Sequence, residues 1–187
     1  MARSRFLGGL FSLLAALLLT GCGEDQSQAT PLQASASSSI GCKTGQSYQH
    51  TTLGYHLCYP GGWVARDYTA EPGSGGAVSV VAFGPPSAVP THIPASGTLT
   101  PPMEVRVVAG SKADSEQSLT QGNQVSQITV AGLAADEITV ADSGPASGSV
   151  IVVLEHQANT YELQRAPGTS YDTAFQQLLS SFTFAGS

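Results

Sequence analysis

Apolar and polar residues alternate with a period of two through much of the chain, and only one stretch keeps a clear helical period. Gly54 to Tyr59 alternates and is rich in aromatics, which predicts a strand. Pro60-Gly61-Gly62 reads as a turn, and Trp63 to Tyr68 as the next strand. Glu71 to Gly76 reads as a loop, and Ala77 to Phe83 as an apolar strand. Met103 to Ala109 sets Met103, Val105, Val107 and Ala109 against Glu104, Arg106 and Val108, the pattern of a half-buried strand. Gln124–Val130 and Leu133–Val140 flank Ala131-Gly132, which predicts a tight hairpin. Ser149–His156 and Thr160–Arg165 form a second such pair, with Ala158-Asn159 as the expected turn. Tyr171, Ala174/Phe175, Leu178/Leu179 and Phe182 fall on one stripe of an amphipathic helix, with Ser170 or Asp172 as its cap. A weaker helix is expected over Ser115–Gln121, capped by Asp114, with Gln117 in the capping-box position and Gly122 closing the end. Seven to eight short strands with hairpin connections imply a mainly antiparallel sheet. A C-terminal helix covering one face of it makes an α+β layered domain.

The N-terminal region lacks this periodicity. Met1–Arg5 is short and basic, Phe6–Leu19 is apolar, and Leu19-Thr20-Gly21-Cys22 closes the segment. This is the three-part form of an export signal, and its apolar run, about 14 residues, is short of a membrane span. The four closing residues resemble the lipobox of bacterial lipoproteins. That resemblance implies cleavage after residue 21 and a diacylglycerol on the Cys22 thiol. Two acyl chains anchor stably where one does not. Residues 22–41 hold Gly, Ser, Gln, Ala and Thr with few large apolar side chains, the composition of a flexible tether. The folded domain is expected over 42–187. Within it, Gly84–Pro102 carries six of the eleven prolines. A run this long without predicted structure reads as a Pro-rich surface excursion or a binding loop.

Charge narrows the partners. Lys and Arg total 7 against 13 acidic residues, a net charge of −6. That excludes the basic footprint of a nucleic-acid binder and of electrostatic docking on anionic lipid. The membrane is therefore reached through the Cys22 anchor, and any further partner is an unidentified envelope protein. The expected location is the bacterial envelope, outside the cytoplasm.

Cys42 and Cys58 would then meet an oxidising compartment, which predicts a disulfide between them. The alternative is a metal site using His56, Cys58 and a further histidine, although no zinc spacing is present. Other chemistry is sparse. Pro72-Gly73-Ser74-Gly75-Gly76 approaches Gly-x-Ser-x-Gly but begins with Pro and precedes no predicted helix. His50, His56, His92 and His156 form no metal motif. Asp136 and Glu137 are neighbours on a strand, so they point to opposite faces and cannot act on one substrate. Lys43-Thr44 lacks the glycines of a phosphate loop. No catalytic, cofactor or metal residue is assigned.

Gly54-Tyr55 followed by Tyr59-Pro60-Gly61-Gly62-Trp63 resembles the opening of the PsbP-like family. Ile128 to Gly132 followed by Ala134 to Ile138 resembles its central hairpin, and Tyr161 with Phe175, Leu178 and Ser181 to Phe184 its ending. The resemblance spans 54–184 and implies an α/β/α sandwich around a central antiparallel sheet. Its members bind and assemble rather than catalyse, and Trp63 would be a core anchor. Two functions are therefore expected: an envelope-anchored, non-catalytic binding or assembly module, or an envelope hydrolase whose site forms only in three dimensions.

Overall fold

The computed structural model describes residues 41–94, 100–141 and 144–186. The expected export signal, Cys22 and most of the expected tether lie outside the described residues. Among the described residues, ten strands and two α-helices follow in the order β1 (Gln46–His50), β2 (Tyr55–Tyr59), β3 (Val64–Asp67), β4 (Ser79–Gly84), β5 (Met103–Ala109), α1 (Lys112–Leu119), β6 (Gln124–Val130), β7 (Leu133–Thr139), β8 (Val150–His156), β9 (Asn159–Arg165), α2 (Asp172–Ser181) and β10 (Thr183–Phe184). The domain is α+β, and every strand pairing in it is antiparallel.

Seven strands form the central sheet in the order β3-β4-β5-β9-β8-β7-β6. Alternation assigns its two faces. Val81, Phe83, Met103, Val105, Val107, Val152, Leu154, Tyr161 and Leu163 point into one large core. Phe175, Leu178 and Leu179 of α2 close that core together with Tyr55, Leu57 and Tyr59 of β2. Burying a large apolar side chain completely contributes about 2–3 kcal/mol, so this face dominates the stability. The opposite face carries two smaller clusters. Val80 and Ala82 pack with Tyr68 and Val89, while Ile138, Ile151 and Val153 pack under α1 through Leu119. A helix therefore lies on each face.

A second sheet, β1-β2-β10, was not expected. Gln46–His50 is too polar to read as a strand, and β10 is only two residues long. Both gain their ladders from β2, whose apolar face is held by the core.

Local corrections follow from hydrogen bonding. The first helix starts at Lys112, because Ser111 Oγ accepts the Asp114 amide. Asp114 is thus inside the first turn rather than the cap. The second helix has Tyr171 at its N-cap with no side-chain cap bond. Asp172 instead meets Arg165 Nε at 3.1 Å. The Ala131-Gly132 turn forms as expected, with φ of 52° and 76°, both left-handed as a two-residue hairpin of the type I′ kind requires. The following hairpin turns one residue earlier than expected. Gln157 sits at φ 50°, and Asn159 already pairs with His156.

Candidate functional site

The outer face of the central sheet bears a polar patch between its two small apolar clusters. Glu104 and Arg106 project from β5, and Gln164 and Glu162 from β9, directly opposite them in register. The two carboxylates occupy one diagonal of this square. Diagonal neighbours on adjacent strands lie about 7 Å apart. A cavity of about 560 Å³ opens over the square. Ile93, Thr100 and Pro101 of the Pro-rich segment wall one side, and Pro145, Ala146 and Ser149 the other. This volume is in the range of small-molecule sites.

The groups in the cavity are unevenly satisfied. Arg106 Nη2 donates to the Ser74 carbonyl at 2.6 Å, which tethers the guanidinium to the short 3-10 turn Pro72–Ser74. Gln164 Nε2 donates to Glu162 Oε2 at 3.2 Å. Glu104 takes no hydrogen bond from any described residue. Burial holds the Glu104 carboxyl above the usual range; the Glu162 charge adds to this and Arg106 opposes it. Burial raises Glu162 likewise, against Arg106 and the side chains of Gln164 and Ser115. Arg165 lines the cavity but is spent elsewhere. Its guanidinium donates to the Ala166, Gly148 and Gly168 carbonyls and pairs with Asp172.

The Pro-rich segment is anchored at its start. Val89 is fully buried against Tyr68, Val80 and Ala82. Arg66 Nε donates to the Val89 carbonyl at 2.9 Å, and the Tyr68 hydroxyl donates to the Pro90 carbonyl. Further along the same segment, Ile93, Thr100 and Pro101 line the cavity.

Other sequence candidates serve structure. Cys42 and Cys58 are bonded, with Cα atoms 5.7 Å apart. Cys58 is therefore unavailable to the metal site considered with His56. Among the described residues no group of three or more His, Cys, Asp or Glu could hold a metal ion. His92 Nδ1 lies 3.0 Å from Glu71 Oε1, but its side chain is 80% exposed. His50 Nδ1 accepts the Leu53 amide, and His156 stacks on Phe184 with ring centres 3.8 Å apart. Ser74, the serine of the near-motif, contributes its carbonyl to Arg106. Asp136 binds Lys112 Nζ at 2.8 Å and so pins α1 to the sheet. Trp63 is half-buried against the main core and meets Tyr171 edge-on at 5.8 Å.

The square of Glu104, Arg106, Glu162 and Gln164 was missed. Its signal was present as charged residues at alternate positions of two strands. Such residues ordinarily face solvent, and only strand pairing shows that they share one walled face.

No family model matches the chain, and no curated protein does. Among solved structures it is similar to a solution structure of cyanobacterial PsbP (CyanoP) from Synechocystis, at 16% identity and a TM-score of 0.43, over 78% of this chain and 95% of that one.

Proposed function

We propose that this protein is an envelope lipoprotein, held to a bacterial membrane by diacylglycerol on Cys22 and a tether over 22–41. Its domain over 42–187 is a non-catalytic binding or assembly module outside the cytoplasm, and its binding site is the cavity over Glu104, Arg106, Glu162 and Gln164. One observation carries the reading: a walled cavity built on paired strands in which a carboxylate, Glu104, has no hydrogen-bond donor among the described residues. Binding sites of this kind combine apolar walls with a few convergent polar groups. The Cys42–Cys58 bond and the Leu19–Cys22 segment support the location. The Tyr59–Trp63 and Ser181–Phe184 motifs support a PsbP-like domain.

Two measurements test this. Radiolabelled fatty acid should enter the wild-type protein and not Cys22→Ser, which should leave the membrane fraction; an unlabelled wild type defeats the anchor. Native mass spectrometry of protein isolated from the envelope in detergent should show a bound species, small or macromolecular. Ser149→Trp, which fills the cavity from its rim, should exclude it. Identical spectra for the two proteins defeat the binding site.

A hydrolase reading would use the same two raised carboxylates as acid and base. Turnover of chromogenic glycosides or esters by wild type, abolished in Glu104→Gln, is the result that would put it first.

A further inference from the structure

We infer that the cavity binds an aliphatic ammonium ion, the chemistry of biogenic amines and polyamines. This rests on the cavity being a binding site and adds the class of ligand. The argument is one of unmatched hydrogen-bonding groups. Glu104 offers two carboxylate oxygens that no described residue hydrogen-bonds, and Glu162 is engaged by Gln164 Nε2 at Oε2 and by the Ser115 side chain. The Thr100 and Ser149 hydroxyls at the rim can also accept. The cation beside them, Arg106, is drawn aside to the Ser74 carbonyl at 2.6 Å, and none of its nitrogens lies within 4.0 Å of a described carboxylate. Among the described residues Glu104 therefore has no hydrogen-bond donor of its own, and Arg106 acts on both glutamates through its charge alone. With Arg165 already paired to Asp172, the two glutamates and Arg106 leave one net negative charge for a ligand to balance.

The walls define the rest of the ligand. Val80, Ile93, Pro101 and Pro145 present hydrocarbon around the charged floor. A bare metal ion gains nothing from such walls, and hard cations demand a fuller set of oxygen ligands than two glutamates supply. A methylene chain fits them. A chain of about four or five carbons between two nitrogens spans a cross-strand diagonal of about 7 Å, so a diamine could reach both carboxylates. The chain's own net charge of −6 favours approach of a cation.

The test is calorimetric titration of the full-length protein in non-ionic detergent with putrescine and with spermidine. Butane-1,4-diol and magnesium chloride at matched ionic strength serve as controls. Saturable binding of the amines alone is expected. Glu104→Gln and Glu162→Gln should each weaken it at least tenfold with the circular dichroism spectrum unchanged. Arg106→Gln should bind amines at least as tightly as wild type, because a competing cation is gone. Ser149→Trp should abolish binding and covers the case in which a glutamate variant does not fold. The inference is overturned by no saturable amine binding to wild type, by equal binding of magnesium, or by amine affinity unchanged in the two glutamate variants and Ser149→Trp. Amine failure alongside a bound species of other chemistry in native mass spectrometry removes the ligand class and leaves the module standing.

Discussion

The backbone amide of Cys58 donates to Ser181 Oγ at 2.8 Å, joining β2 to the last residue of α2 across 123 positions of the chain. The same hydroxyl donates to the Gln177 carbonyl at 2.7 Å. One serine thus bonds back into the last turn of its helix, satisfies a strand amide and holds β2 at the cysteine that pairs with Cys42. Ser181→Ala should lower stability by about 1–3 kcal/mol, the cost of a buried group left without its partner. The urea midpoint of unfolding checks this; an unchanged midpoint would show that the amide finds another acceptor.

The disulfide closes a loop between residues 16 apart. In the chain-entropy account such a loop is worth about 3 kcal/mol. Cys42→Ser with Cys58→Ser should lose roughly that amount by denaturant titration. Because β1 depends on β2 for its ladder, its amides should lose hydrogen-exchange protection first.

Glu104 and Glu162 make a pH prediction with a definite sign. Both carboxyls are held above the ordinary glutamate value in the folded state, by burial first. The folded protein therefore retains protons that the unfolded chain has released. Their contribution to stability is fully present below the ordinary glutamate value and is lost as pH rises through the raised values. Arg106, facing both, limits the size of the effect. Glu104→Gln should be more stable than wild type at neutral pH, with the difference vanishing below the ordinary glutamate range. Thermal melting between pH 4 and 8 reads it, and a difference that grows on acidification would refute it. Asp136 is shifted the opposite way, chiefly by its hydrogen bond from Lys112. Its contribution is lost on acidification and forms the background against which the two proteins are compared.

Ala131 occupies a left-handed conformation at φ 52° in the β6–β7 turn. An alanine there carries about 1–2 kcal/mol of steric cost, which asparagine tolerates better. Ala131→Asn should stabilise the protein by about 0.5–1 kcal/mol. Gly132→Ala, at φ 76°, should destabilise it. If both changes are neutral in chemical denaturation, the hairpin turn is not under the strain described.

Much of this architecture is readable from residues that are close in sequence. Met103–Ala109 is the strand its alternation predicts, because a two-sided environment acts on each position independently. The apolar stripe from Ala174 to Leu179 is likewise the buried face of α2. Local competition hid other features. Ser111 took the helix cap from Asp114 because its hydroxyl reaches the Asp114 amide, and both residue types are good caps. Gln46–His50 carries no apolar pattern, and only the waiting edge of β2 makes it a strand.

The amino-acid order alone thus determined the antiparallel α+β character, the site of the β6–β7 hairpin and the pairing of the two domain cysteines, because each depends on short-range periodicity, turn chemistry or simple count. Tertiary structure alone decided that Glu104 and Glu162, 58 positions apart, share one walled face. The physical reason is that strand register is a long-range choice, made by the whole core. The field and donor supply at a carboxylate depend on which neighbours that choice delivers.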